Sequence, residues 1–327
     1  MERERLEQLL NDFPNKKIVV VGDVMLDEFT WGEVNRISPE APVPVVEVIK
    51  ETQQLGGSAN VVANIKALGG NPITIAVTGQ DAAAERLQVL FRDLQIDSSY
   101  LIADDRRTTI KTRIIAHNQQ IVRTDREDRT PLTPTVSNAL AKHFLNVLPG
   151  SDAVIISDYD KGVVNPELLA AILPEAERAG VSVFLDPKVH HADCYKPTTL
   201  ITPNQREAEL LSGKRILDTA SLEEAGRLLL DRFECPYILI TRGREGMSLF
   251  HGNAIHHFQA ATRDVFDVSG AGDTVIATLT MAASCGASMD DAARIANAAG
   301  GIVVGKIGTA TLTPRELVES AHSNTAN

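Results

Sequence analysis

Apolar residues along the chain follow two rhythms. Short, nearly continuous runs at Lys17–Val21, Ile73–Val77, Ala153–Ile156, Val181–Leu185 and Tyr237–Ile240 read as strands buried on both faces of a parallel sheet. Between them lie stretches of helical spacing, at residues 82–94, 134–148, 166–180 and 222–233. Leu6, Leu9, Leu10 and Phe13 mark a short amphipathic helix at the start. Strand–helix alternation of this kind predicts an α/β fold with a mainly parallel, doubly wound sheet. Residues 34–50 break the rhythm with three prolines and then an alternating stretch, which suits an edge or irregular strand. With residues 108–116 and 120–125 they predict a small β-sheet outside the main one, placed as a lid.

Two glycine-rich stretches punctuate this pattern. In Arg263–Ala283, the residues Val265, Phe266 and Val268 read as the end of a short buried strand. Ser269 to Gly272 form a tight turn, and a helix follows from Thr274. Such a turn leaves the first backbone N–H groups of the helix unpaired, so Gly270, Ala271 and Gly272 offer an anion site. Asp273 at its lip is placed to accept a proton from an attacking hydroxyl while the amides hold a transferring phosphoryl group. The competing reading is an aspartate that only caps the helix. In Leu55–Gly70, Ser58 reads as the N-cap of a helix ended by Gly69, with Val61, Ile65 and Leu68 as its apolar stripe. Gly56 and Gly57 permit close backbone approach, and Asn60 offers a donor and an acceptor, a combination that suits a polyol. The alternative is a capped helix with Asn60 and Asn64 as polar surface residues.

Other candidates follow strand ends, where open α/β sheets place their ligand crevice. Asp23 and Asp27 come just after the first strand, and polar clusters occupy residues 157–162, 186–188, 202–207 and 241–243. Lys111 and Arg113 share one strand face, which Arg123 can join from a neighbour. That group is either a solvated face or a pocket for a substrate phosphate.

Composition narrows the partners. The 327 residues carry a formal net charge of −11, which argues against a general nucleic-acid or anionic-membrane binder. Cys194, Cys235 and Cys285 are widely spaced, as in a reducing cytoplasm, with no disulfide framework or cysteine zinc site. The N-terminus is too charged for a secretory signal, and Thr274–Met289 is too short to span a bilayer. The pairs His190-His191 and His256-His257 lack helical metal spacing and read as surface residues. Neither a GxxxxGK[ST] loop nor a GxGxxG is present, which makes a dinucleotide-dependent dehydrogenase an unsuitable reading.

GGSANVVANIKALGG (56–70), NQRE (204–207) and DVSGAGDTVIATL (267–279) resemble, in order, the signature motifs of the ribokinase-like, phosphofructokinase-B type carbohydrate kinase family. The resemblance covers essentially the whole chain. VVVGDVMLDEFTWG, RISPEAPVPVV, HNQQIVRTD, SDYDKG, DPK, TPNQREAE and NAAGGIVVGKIGTATLTP further resemble kinases of D-glycero-β-D-manno-heptose 7-phosphate. That likeness implies ATP- and Mg²⁺-dependent phosphorylation of the anomeric hydroxyl, giving the 1,7-bisphosphate for lipopolysaccharide core biosynthesis. It implies Asp273 as catalytic base and the backbone of Gly270, Ala271 and Gly272 as anion hole. Asn204, Gln205, Arg206 and Glu207 would face the Mg²⁺–ATP phosphates, with Glu207 reaching the metal through water. Thr241, Arg242, Gly243 and Asn297 would border the nucleotide. Asp23, Asp27, Gly56, Gly57 and Asn60 would bind the sugar. Charge alone nominates Arg113, Arg123, Lys161 and Lys188 for the 7-phosphate. Residues 1–327 are expected to form one kinase domain with lid segments at 28–50 and 106–126, pairing as a homodimer through the lid. No C-terminal nucleotidyltransferase domain is expected. A kinase for another sugar, or a catalytically silent sugar- or nucleotide-binding regulator, remains the alternative.

Overall fold

The computed structural model describes residues 3–117, 119–261 and 267–323. In chain order, helix α1 (Arg3–Asp12) leads into β1 (Lys17–Gly22), followed by the long strands β2 (Val24–Ile37) and β3 (Pro44–Gly57). Next come α2 (Ser58–Ala67), β4 (Asn71–Thr78), α3 (Ala82–Asp93) and β5 (Leu101–Ala103). The hairpin β6 (Thr109–Ala116) and β7 (Gln119–Arg126) precedes α4 (Pro134–Val147), β8 (Ala153–Ser157), α5 (Pro166–Arg178) and β9 (Ser182–Asp186). Then β10 (Leu200–Ile201), α6 (Gln205–Ser212), α7 (Thr219–Phe233) and β11 (Tyr237–Thr241) lead to the hairpin β12 (Met247–His251) and β13 (Ala254–Phe258). The chain closes with α8 (Ala271–Ser284), α9 (Met289–Val303) and α10 (Pro314–Ser323).

Among the described residues the main sheet has nine strands in the order β13-β12-β11-β10-β9-β8-β1-β4-β5. It is parallel from β5 to β11, and β12 and β13 add antiparallel at one edge. The continuous apolar runs have their cause in this layering. In β1, Ile18 and Val20 join the core under α1, α2, α8 and α9, while Val19 and Val21 join the core under α4, α5 and α7. In β8, Ala153 and Ile155 divide from Val154 and Ile156 in the same way. A strand covered on both faces has no polar side to alternate with.

The second sheet, in the order β3-β2-β6-β7, is built on β2 and β3, which pair from Val24–Gly57 to Ile37–Pro44. Its strands therefore begin deeper than residue 28 and run back into the core at Leu26 and Leu55. The helix after β3 starts differently from the sequence expectation. Gly57, with φ +58°, is the cap residue, and Ser58 is already helical with its N–H donated to Asp23 O at 3.0 Å. A side chain at Gly57 would collide with that same carbonyl, since its Cβ would lie 2.4 Å away. Val268 is also corrected: it lies in no strand and is 67% exposed, while Val265 and Phe266 fall outside the described residues. None of the described helices is long and apolar enough to cross a membrane. The three cysteines are unpaired.

Candidate active site

Asp273 sits in the first turn of α8, 4% exposed, at the point where that helix meets α2 and the loop after β8. Gly270 makes the turn possible: its φ is +77°, and a Cβ there would lie 2.5 Å from the Asn60 amide nitrogen. That amide is needed where it is, because Asn60 Nδ2 donates to Asp273 Oδ2 at 2.7 Å. Asn60 is held in turn by Asn64, whose Nδ2 donates to the Asn60 carbonyl at 2.9 Å and to its Oδ1 at 3.3 Å. Thr274 Oγ1 donates to Asn64 Oδ1 at 2.9 Å and closes the chain. Asn60 and Asn64 are 1% and 0% exposed, so neither is a surface residue, and both ends of the Asn60 amide are engaged by protein. Its place is behind the carboxylate, as a positioning group.

A second donor reaches Asp273 from the loop after β8. The Tyr159 hydroxyl makes a very short hydrogen bond to Asp273 Oδ1. Burial is the largest influence on this carboxyl and raises its pKa to about 6; the Tyr159 and Asn60 hydrogen bonds oppose it, Asp27 adds to it and Lys188 opposes it. The result is a carboxylate ionised at neutral pH yet basic enough to take a proton. Tyr159 is pushed well above the usual phenol range by burial and by Asp273, so it remains a donor.

Asp23 serves the same loop. Its carboxylate is 2% exposed and accepts the backbone N–H groups of Tyr159 (2.9 Å), Lys161 (3.3 Å) and Val163 (3.0 Å). The Asp23 carboxylate thus shapes the Tyr159 loop. The neighbouring Asp158, fully buried, takes Tyr195 Oη and His191 Nδ1, each at 2.6 Å. His191 is therefore no surface residue, whereas the His190 side chain is 78% exposed.

The turn at α8 opens on two connected compartments. A polar cavity of about 540 Å³ is lined by Asp186, Lys188, Asn204, Gln205, Arg206, Glu207, Thr241, Arg242, Gly243 and Gly272. A more apolar slot of about 270 Å³ continues past Gly272, between Gly246, Met247, Ala260, Ala261 and the α9 residues Asn297, Gly300 and Gly301. The sequence reading names Thr241, Gly243 and Asn297 on its border but not Ala260, Ala261, Gly300 and Gly301, small residues with no chemistry of their own. Within the polar cavity, Asn204 and Glu207 cap α6 reciprocally, Glu207 N–H to Asn204 Oδ1 and Asn204 N–H to Glu207 Oε2, both 3.0 Å. Lys188 Nζ meets the other Glu207 oxygen at 2.5 Å. Asp186 is raised well above the usual carboxylate range by burial, with Glu207, Asp273 and Asp158 adding to the effect and Lys188 opposing it. Of the turn amides, Ala271 N–H is engaged by Val268 O at 3.2 Å. The N–H groups of Gly272 and Asp273 have no acceptor among the described residues.

The basic candidates separate. Arg113 is 9% exposed, bonds Asp27 at 2.6 Å and lies over the Phe29 ring, so its charge is already matched. Asp27 nevertheless has its pKa raised, burial outweighing Arg113. Arg123 pairs with Asp125 and Lys161 with Glu127. Lys188 lines the polar cavity with Asn204 and Glu207. Lys111, which the sequence reading places on the candidate phosphate-pocket face but not among its four nominated residues, has no carboxylate ion pair among the described residues. Its Nζ lies 5.6 Å from the centre of the Tyr159 ring, and its pKa is lowered, by burial first and by Arg123 and Lys161, against Asp27. Tyr159 thus stands between two ammonium groups, Lys111 on the small sheet and Lys188 on the main one.

A family model described as pfkB family carbohydrate kinase matches residues 15–316. The bifunctional protein HldE of Pelobacter propionicus is 43% identical over 330 residues, which is 99% of this chain and 67% of that protein. HldE of Trichlorobacter lovleyi is 43% identical over 320 residues, 97% of this chain and 65% of that protein. The chain thus spans about two thirds of the length of the curated relatives it matches. Among solved structures, phosphofructokinase-2 from Escherichia coli in complex with substrates and products has a TM-score of 0.81 at 19% identity, over 94% of this chain and 99% of that one. Arabidopsis thaliana ribokinase complexed with ribose and ATP has a TM-score of 0.71 at 18% identity, over 93% and 98%. At these identities the likeness is one of fold, and the fold is ribokinase-like.

Proposed function

The chain belongs to the pfkB family of carbohydrate kinases, and from that premise we propose that it transfers the γ-phosphoryl group of ATP to the anomeric hydroxyl of D-glycero-β-D-manno-heptose 7-phosphate. The observation that carries this reading is the position of Asp273, a buried carboxylate with two hydrogen-bond donors at the junction of the two-compartment cleft with the cationic face of the small sheet. The apolar slot suits an adenine base, and the polar cavity suits the phosphates. Asp186 and Glu207 give that cavity the hard oxygen donors that Mg²⁺ takes, and a cation would relieve the crowding that raises Asp186. Since both Glu207 oxygens already have partners, its contact with the metal would run through water. Bound Mg²⁺ supplies neutralisation of the phosphate charge.

The protein's own part is alignment and one proton. Asp273 accepts the proton of the attacking hydroxyl as the new O–P bond forms and the bond to ADP breaks. The free amides of Gly272 and Asp273, with Lys188, hold the moving phosphoryl group. On the acceptor side, Lys111, which has no ion pair among the described residues, supplies a charge for the distal phosphate, with Arg123 and Lys161 nearby. This assignment, together with the heptose-kinase phrases in the sequence, supports a phosphorylated acceptor over a free sugar. The described chain would act in the cytoplasm as one kinase domain with the four-stranded sheet as lid. Exposed Ile37, Val48, Ile49, Ile121 and Val122 on that sheet support pairing of two copies there.

The test is ³¹P NMR with Mg²⁺–ATP and the heptose 7-phosphate, with ribose, fructose 6-phosphate and adenosine as parallel acceptors. A new anomeric phosphate signal with the heptose alone is the expected result. Transfer only to another acceptor would overturn the substrate, and no transfer to any acceptor by protein that still binds ATP would overturn the proposed activity.

A further inference from the structure

Away from the active cleft, the hairpin at the edge of the main sheet carries two histidines on one face. His251 pairs with Ala254 and Leu249 with His256, which makes His251 and His256 diagonal neighbours across β12 and β13. Their rings stack with centroids 5.6 Å apart. The first turn of α9 lays Asp290 against the same face: His256 Nδ1 is 2.7 Å from Asp290 Oδ1, and His251 Nε2 is 3.9 Å from Asp290 Oδ2. The short contact lacks hydrogen-bond alignment, so Asp290 Oδ1 is an oxygen out of reach of solvent with no donor. One ligand atom from each residue falls within 4.8 Å of the other two.

We propose that His251, His256 and Asp290 form a binding site for a divalent transition-metal ion of the zinc class, separate from the cleft that handles ATP. Two neutral imidazoles and one carboxylate match the ligand preference of Zn²⁺, Co²⁺ and Ni²⁺, and not that of Mg²⁺, which takes oxygen donors. Ligand atoms around a tetrahedral zinc lie about 3.3 Å apart, given bonds of about 2.0–2.2 Å. The three side chains are each between a third and a half exposed, so small rotations bring them to that spacing, and water completes the coordination. The ion would join the β12–β13 hairpin to α9. Those elements flank the apolar slot, through Met247 on one side and Asn297, Gly300 and Gly301 on the other. The site would therefore stiffen the slot's walls without touching the reacting groups.

Isothermal titration of the chelator-treated chain with ZnCl₂ tests this, with MgCl₂ as the comparison. Saturable zinc binding is expected, weakened about tenfold or more in His256→Gln and in Asp290→Asn and unchanged in the adjacent His257→Gln. Melting curves of the metal-free variants check that they fold, and zinc should raise the melting temperature of the wild-type chain but not of His256→Gln. Absence of saturable zinc binding to the wild type would overturn the proposal. So would equal affinity in folded His256→Gln, which would assign the ion to the cysteines or the cleft. The readout involves no phosphoryl transfer, so it stands or falls separately from the kinase reading.

Discussion

Replacing Tyr159 with Phe removes one hydroxyl and keeps the ring between Lys111 and Lys188. What is lost is the hydrogen bond to Asp273, which is one of two that hold the carboxyl's pKa down against burial. A hydrogen bond to a charged group contributes about 1.5–3 kcal/mol. At about 1.4 kcal/mol per pKa unit, its loss should lift Asp273 from about 6 to about 7–8. The base works only as the carboxylate, so activity rises with pH through its pKa, and a higher pKa moves the acid limb of the profile upward. At neutral pH the ionised fraction should fall from about nine-tenths to between about a half and a tenth. At about pH 9 an Asp273 with a pKa of about 7–8 is mostly ionised, so the variant should recover most of the wild-type rate, which Tyr159, still protonated there in the wild type, does not limit. The assay is kcat/KM for ADP release across that range. A loss by the same factor at every pH would refute the reasoning, because it would make Tyr159 a spacer and not a donor that tunes the base.

Three further outcomes follow from the same geometry. Asp273→Asn keeps the shape and removes the proton acceptor, so kcat should drop by about 10²-fold or more while ATP affinity by calorimetry holds; a variant keeping over half of wild-type turnover would contradict the role. Lys111→Met should raise KM for a phosphorylated acceptor by about tenfold or more and leave KM for ATP alone, as befits a partly buried ion contact, whereas the same change at Lys188 should act on ATP. Asn64→Leu removes the donor to Asn60 Oδ1 inside the core, while Thr274 Oγ1 keeps the Gly270 carbonyl, which should lower unfolding stability by about 1–3 kcal/mol in denaturant titration.

Local signals served the sequence reading well where local physics decides the outcome. Strands β1, β4, β8, β9 and β11 are buried on both faces and announce themselves as apolar runs, and α4 and α5 carry proline at the first helical turn. From sequence α6 reads only as a ligand cluster, although Asn204-x-x-Glu207 is also a capping box and marks a helix start. The β12–β13 hairpin is legible but goes unused in the sequence reading: Gly252-Asn253, with φ +51° at Gly252, is a two-residue hairpin loop between strands as long as β8 and β9. Asn60 and Asn64 misled because α2 is buried all round, from Ser58 to Ile65, so polarity on it does not mean surface. Which carboxylate faces a ligand and which faces a loop was not legible at all. Asp23 and Asp27 look alike in sequence, and only the fold gives one three backbone donors and the other an arginine.

That difference explains why the residues around Asp273 come from so many segments. The base is reached by Asn60 from α2 and by Tyr159 from the loop after β8, and each of these has its own brace, Asn64 for the one and Asp23 for the other. On the proposed reading, a buried carboxylate acting as base would otherwise protonate and lose its function. Two donors keep it ionised, and the braces keep the donors from relaxing away. Because Asn60 and Gly270 could not both fit if position 270 carried a side chain, the glycine turn that frees the phosphate-facing amides also admits the donor that keeps the base charged. The anion site and the base are in this sense one construction, and a substitution at Gly270 acts on both the proton and the phosphoryl group.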